Sequence, residues 1–215
     1  MGGFFGVVSK NDCLIDLFYG TDYHSHLGCV RGGMAVLGEK GFTRVIHDIS
    51  STPFRSKFES DLPRFKGLSG IGVISDYEDQ PLIIASRLGL FAIITVGAIS
   101  NLDELVAEMY TGRHIQFSEM SNGGVNPTEL VASLINTQDT FEQGIRYAQE
   151  KIKGSCSLLL LTENGELYAA RDRYGRTPVI IGEKAGAFAV SFESSAFPNL
   201  DYRLRRFLAP VKSPV

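Results

Sequence analysis

The chain has no basic excess. Across its 215 residues, 21 Lys and Arg stand against 24 Asp and Glu, giving a net charge of −3 at pH 7 and a pI near 5.8. That balance offers no positive field of the kind that holds nucleic acid, so a nucleic-acid partner is not expected. Cysteine is scarce as well: Cys13, Cys29 and Cys156 are odd in number, far apart and free of any Cys-x-x-C pair. This excludes a disulfide framework or a Cys-based zinc site and points to a reducing cytoplasm. Long apolar runs are also missing. The longest nearly uncharged stretch, residues 88–102, falls short of the roughly 18–20 residues a spanning helix needs, and its centre Ile93-Ile94-Thr95-Val96 reads as a buried strand. No membrane partner is expected. No charged segment precedes the opening Gly/Phe run, so a signal peptide is not expected, and Gly6 occupies the place where a myristoylation motif wants Ser or Thr.

What is present begins at the start of the chain, where Gly2-Gly3-Phe4-Phe5-Gly6-Val7-Val8 reads as a buried strand whose glycines bring the backbone close to a neighbour. A chain that opens as a core strand needs something to tie it down. Ser9-Lys10-Asn11-Asp12 is a turn and cap cluster, followed by a helix over about 12–24 with Leu14, Ile15, Phe18 and Tyr19 on one face. Gly32–Leu37 and Thr43–Ile46 form a hairpin. Residues 50–66 read as loop plus a short helix. Short Ile- and Val-rich strands at Ile71–Ser75, Pro81–Ala85 and Phe91–Gly97 are close enough in sequence to be antiparallel neighbours.

Helices occupy the middle. One starts at Ser100-Asn101-Leu102, a second at Asn126 with Pro127 in its first position, and a third carries Phe141, Ile145, Ala148 and Ile152 at helical spacing. Strands return at Cys156–Leu161, Glu166–Arg171, Pro178–Ile181 and Phe188–Phe192. Strands, then helices, then strands predict an α+β fold with helices outside stacked antiparallel sheets. Residues 209–215 are expected to be a flexible tail to a single domain spanning 1–208.

Six segments in order carry a family resemblance. Gly3-Phe4-Phe5-Gly6-Val7 is similar to C-G-I-x-G-I less its cysteine, and His26-Leu27-Gly28-Cys29-Val30-Arg31-Gly32-Gly33-Met34 to H-R-G-Q-x-x-x-G-I. Gly70-Ile71-Gly72 is similar to the start of G-I-G-H-x-R-Y, and Val96-Gly97-Ala98-Ile99-Ser100-Asn101 to N-G-N-L-x-N. The run from Arg171-Asp172 to Gly182 is similar to R-D-x-x-G-x-R-P-L-x-x-G, and Ser191-Phe192-Glu193-Ser194 to S-E-S. Together they make the chain resemble class II glutamine amidotransferases, specifically the N-terminal glutaminase domain of amidophosphoribosyltransferase of purine synthesis. The resemblance implies the N-terminal-nucleophile hydrolase fold, a four-layer αββα sandwich of two stacked antiparallel sheets.

That family hydrolyses glutamine with an N-terminal cysteine thiolate, an arginine and an aspartate for the amino-acid end, and an Asn side chain plus a Gly amide as oxyanion hole. The resemblance places Gly2 at the nucleophile, Ser75 at or beside the arginine, Val96 at the asparagine and Pro127 at the aspartate. Of the five vestigial positions only Gly97, which contributes a backbone amide, keeps its group. The implied reading is a domain without glutaminase activity, with no catalytic residue, cofactor or metal, and with no phosphoribosyltransferase domain in the sequence. A structural, regulatory or partner-binding role follows. A small molecule, a phosphoribosyltransferase or other protein, and a second copy of the chain all remain open as partners. The alternatives are an active hydrolase whose nucleophile has moved to Cys13, or the glutaminase-like part of a larger phosphoribosyltransferase.

Other clusters read as structural. His24-x-His26 lacks neighbouring ligands for a metal, and Asp76, Glu78 and Asp79 read as a solvated hairpin turn. Arg171, Asp172 and Arg176 read as holding a turn, whereas Arg203, Arg205 and Arg206 are either solvated or a partner interface.

Overall fold

The computed structural model describes residues 2–27, 30–112, 116–118, 120–121 and 123–210. Among these, the chain runs β1 (Gly3–Ser9), α1 (Leu14–Asp22), β2 (Arg31–Gly38), β3 (Gly41–Asp48), α2 (Phe54–Phe58), β4 (Ser69–Ser75), β5 (Leu82–Ser86) and β6 (Gly89–Ile99). It continues with α3 (Leu102–Gly112), the short pair β7 (Met120–Ser121) and β8 (Gly124–Val125), α4 (Pro127–Ile135), α5 (Phe141–Lys151), β9 (Gly154–Thr162) and β10 (Leu167–Ala170). The last elements are β11 (Ile180–Lys184), β12 (Ala187–Ser191), α6 (Ala196–Asn199) and β13 (Arg203–Phe207).

Two antiparallel sheets stack. The larger has the order β13-β11-β12-β1-β4-β2-β3 and the smaller β10-β9-β6-β5. β1 is held between β4 and β12, which is what ties down the start of the chain. The period of two in the central strands divides the interior into three apolar layers. Phe5, Met34 and Ile74 face α1 and α2, while Phe4, Ile71 and Val73 meet Ala92, Ile94 and Leu159 between the sheets. Ile93, Leu158 and Leu160 face α3, α4 and α5 on the far side. Each fully buried side chain of this size contributes about 1.5–3 kcal/mol relative to exposure. The expected αββα sandwich is therefore what forms.

Local chemistry explains the helix starts. Asp12 Oδ1 accepts from the Leu14 N–H, and Asn126 Oδ1 accepts from the Thr128 N–H with Pro127 as the first residue of α4. Thr140 caps α5 through the Gln143 N–H.

Three expectations need correction. The apolar face of α1 is shifted from the expected one: Leu14, Phe18 and Tyr19 pack on the core, but Ile15 is 58% exposed and Leu17 is fully buried in its stead. Gly20 and Thr21 decide this, because they seat the helix against the Phe5 ring and Gly72, and close approach outweighs the apolar period. Secondly, β4 and β5 are not neighbours: β4 ends in the larger sheet and β5 begins the smaller one, so only β5 and β6 form a hairpin. Residues 76–81 therefore cross between sheets. Thirdly, the arginines near the end of the chain form β13, an edge strand whose five residues are all exposed, which no period in the sequence announced. Of the expected flexible tail 209–215, residues 211–215 lie outside the described residues, as do Gly28 and Cys29 of the second motif.

Candidate functional site

Antiparallel pairing of Gly3 with Ile74 sets Gly2 beside Ser75 where β4 ends. The stacked smaller sheet brings Val96 and Gly97 of β6 to the same place, and the first turn of α4 adds Pro127. Gly2, Ser75, Val96, Gly97 and Pro127 thus line one cleft of about 330 Å³. All five positions singled out in the sequence converge there. The cleft also takes residues that sequence reasoning did not assign to it, among them Thr177, Cys156 and Glu78. Neither periodicity nor the matched segments placed them at the cleft, because they arrive from β9 and from two loops.

The chemistry of the lining is poor in nucleophiles. Cys156 is buried, and burial together with the Asp172 charge pushes its thiol up to about 12, so it is not a thiolate at neutral pH. Ser75 donates its hydroxyl to the Glu78 carbonyl at 2.6 Å. Among the described residues, the charged side chains that line the cleft are Asp76 and Glu78, without Lys, Arg or His. Burial, with Asp76 nearby, raises the Glu78 carboxyl above the usual range. The acidic loop is therefore not a solvated hairpin turn but a wall of the cleft between the sheets. Its last member, Asp79, pairs with Arg31 at 3.2 Å.

Position 2 itself leaves no room for a side chain. A Cβ built on Gly2 would stand 2.0 Å from the Ile74 carbonyl oxygen and 3.2 Å from the Ser75 Cα, both backbone atoms that cannot rotate away. Behind the cleft lies a buried polar network. Gln80 Oε1 accepts from the Thr95 N–H at 2.8 Å and from Thr128 Oγ1 at 3.0 Å, while its Nε2 donates to the Thr95 carbonyl at 3.0 Å. Thr95 and Thr128 hydroxyls meet at 2.7 Å. The network ties β6 and the start of α4 to the crossing segment, and so fixes Val96 and Pro127 relative to each other.

Cys13 is elsewhere. It lies fully buried in the layer under α1, outside the cleft lining, its N–H donates to the Gly67 carbonyl, and burial with Asp12 nearby pushes its thiol up to about 12. The Arg171 and Asp172 pair does hold a loop. Arg171 donates to the Thr177, Gly175 and Leu208 carbonyls, and the buried Asp172 carboxylate accepts from three backbone N–H groups and the Thr177 hydroxyl.

The two histidines part company. His26 is exposed and pairs with Glu193 at 3.0 Å. His24 is buried, with Nδ1 2.8 Å from the Gly20 carbonyl and Nε2 3.3 Å from Ser191 Oγ. No group of three or more His, Cys, Asp or Glu able to hold a metal occurs among the described residues.

Burial lowers the His24 pKa to about 4, so the folded state keeps it neutral while the unfolded chain takes a proton near 6.5. Above pH 6.5 both states are neutral and nothing is lost. Between about 6.5 and 4 the unfolded state binds more protons, so stability falls as pH falls, by up to about 3 kcal/mol. Thermal melts from pH 7 to pH 4.5 should show this loss, and it should shrink in His24→Gln. A pH slope unchanged in that variant would assign the loss to other groups.

Comparison with known proteins bears on this arrangement. Residues 68–199 match the family model described as a glutamine amidotransferase domain. An amidophosphoribosyltransferase of Methanocaldococcus jannaschii is 33% identical over 131 residues, covering 61% of this chain and 27% of that protein. One from Bacillus subtilis is 27% identical over 207 residues, covering 91% of this chain and 41% of that protein. The chain thus spans well under half the length of these curated relatives. Among solved structures, the B. subtilis glutamine phosphoribosylpyrophosphate amidotransferase complexed with ADP and GMP superposes with a TM-score of 0.82 at 24% identity, covering 97% of this chain and 45% of that one. A structure of the allosteric regulatory enzyme of purine biosynthesis gives 0.83 at the same identity and coverage. These likenesses show the fold, two stacked antiparallel sheets with helices outside them.

Proposed function

This chain belongs to the glutamine amidotransferase domain family, and from that premise we propose that it is a glutaminase-like domain that does not hydrolyse glutamine. Its role is then structural or regulatory. It would hold a small molecule in the retained cleft or serve a phosphoribosyltransferase partner, since the curated relatives are longer proteins named for that activity. Its setting in this reading is a reducing cytoplasm, in keeping with free Cys13 and Cys156. Described residues contain no helix long and apolar enough to cross a membrane.

One observation carries the reading. The cleft is present, but the position that supplies the nucleophile in the family is a glycine packed so tightly on the Ile74 carbonyl that a side chain has no place there. The losses around it point the same way. Ser75, Val96 and Pro127 offer neither a guanidinium for a carboxylate, nor an amide for an oxyanion, nor a carboxylate for an amine. An oxyanion donor alone is typically worth ~10²–10³-fold in rate, so the shortfall is not made up by the Gly97 amide.

The expected result is no release of ammonia from glutamine above background, and no glutamine binding in calorimetry at micromolar concentration. Gly2→Cys should remain inactive too, because the thiol needs a backbone shift and the binding groups are still missing. Ammonia release that Cys13→Ala abolishes would establish the moved nucleophile instead, and micromolar glutamine binding would also overturn the proposal. The burial of Cys13 and its high thiol pKa count against the first outcome.

A further inference from the structure

The two sheets differ in width, and the difference leaves a second site outside the lining of the cleft. Seven strands stack on four among the described residues. β1 lies over β10, as shown by the approach of Gly6 to the Leu159 and Leu167 side chains, so β12, β11 and β13 project beyond β10 as an overhang. β10 is the edge of the smaller sheet and pairs with β9 alone.

The phase of that edge can be worked out. Glu166 opposes Thr162 and accepts its N–H at 3.0 Å, so residues 168 and 170 are the next to bond β9. Leu167 and Ala169 therefore turn their N–H and C=O groups away from β9, where no described residue takes them. Two grooves flank this edge, one on each face of the smaller sheet, the first between the sheets and the second beside α5. One, of about 480 Å³, runs past Gly165–Leu167 under Ile181 and Val190. The other, of about 210 Å³, runs past Tyr168–Arg171 toward Leu208. The edge from residue 165 to 171 that they flank is about 20 Å long, the length of a six-residue strand.

We propose that this groove accepts an extended acidic and apolar peptide segment of a partner, which adds to β10 as a fifth strand of the smaller sheet. Backbone pairing would satisfy Leu167 and Ala169, and alternate apolar side chains would fill the space beneath the overhang. Charge chooses the remaining side chains. Four arginines, Arg146, Arg171, Arg205 and Arg206, line the grooves against two glutamates, Glu142 and Glu166, on a chain that is acidic as a whole. Arg205 is engaged by Glu183 and Arg171 by the Asp172 loop, which leaves Arg146 and Arg206 exposed, Arg146 on the α5 side where the partner's carboxylates would point and Arg206 at the overhang. A second copy of this chain fits poorly. Edge-to-edge pairing of two β10 strands would drive the two overhangs into each other and set arginine against arginine.

The probe is a fluorescein-labelled, end-capped peptide Glu-Val-Glu-Ile-Glu-Val, titrated by anisotropy and by amide chemical shifts. Saturable binding is expected, with shifts at Leu167 and Ala169. The counterpart with Lys in place of Glu, and the Arg146→Glu protein, should each bind at least about tenfold more weakly. Ala169→Pro removes an outward N–H without touching the β9 ladder and should abolish binding with unchanged circular dichroism. A peptide N-methylated at alternate residues makes the same test without altering the protein, and should not bind. Equal binding of both charge types, undiminished binding of the N-methylated peptide, shifts confined to other residues, absence of saturation at millimolar peptide, or dimerisation through β10 in sedimentation would each overturn the proposal.

Discussion

Asp172→Ala should lower the stability of the folded chain by about 4 kcal/mol, or roughly 10 °C in melting temperature for a protein of this size. The carboxylate is fully buried. Its Oδ1 accepts from the Tyr174 and Arg176 N–H groups at 3.1 and 3.2 Å, and its Oδ2 from the Thr177 N–H and hydroxyl, both at 3.2 Å. Alanine leaves all four donors without their acceptor, and each donor left unsatisfied in a buried place costs about 1–3 kcal/mol. Water reaching the exposed side of the loop near Tyr174 recovers part of that. Asp172→Asn keeps one acceptor and should cost about half as much. Because Thr177 also lines the cleft, the alanine variant should loosen one wall of it. Calorimetry decides: a loss under about 1 kcal/mol would mean that the Arg171 bonds hold the loop without the carboxylate.

The second large effect is expected at Gly33→Val, with a loss of about 3 kcal/mol or more. Gly33 lies on β2 where the larger sheet meets the crossing segment. A Cβ there would stand 1.8 Å from the Gln80 carbonyl oxygen and 2.8 Å from the Pro81 ring. The obstacle is backbone, so the sheets must separate or Gln80 must move. Moving Gln80 breaks three hydrogen bonds to Thr95 and Thr128, and with them the alignment of Val96 and Pro127 across the cleft. Denaturant melts would report the stability loss. Amide shifts at Thr95 and Thr128 would report whether the network has opened. A variant of near-normal stability with both shifts unchanged would show that the sheets accommodate the valine.

Much of the architecture was legible because the strongest local signals agree with it. The alternation through Phe4, Phe5 and Val7 and through Ile93, Ile94 and Val96 is that of strands buried on both faces, and Asn126-Pro127 starts α4 where the cap chemistry says it should. The five cleft positions were legible only through ordered motifs, since nothing in composition relates Gly2 to Pro127. Ile15 was misread because apolar spacing cannot register that Gly20 and Thr21 admit a closer neighbour. β4 and β5 were misread as paired because a short loop looks alike whether it turns within a sheet or passes between two.

By itself, then, the sequence determined most of the strands and helices, β13 excepted, the absence of a cysteine at position 2 and the segments that mark the family, all of which are properties of short stretches. Tertiary structure alone decided that Gly2, Ser75, Val96, Gly97 and Pro127 share a cleft, that Glu78 and Cys156 join it, and that β10 is left open beneath an overhang. Those depend on which sheet a strand enters and how far two sheets of unequal width overlap. Such quantities are set by packing between residues distant in sequence, and no local pattern encodes them.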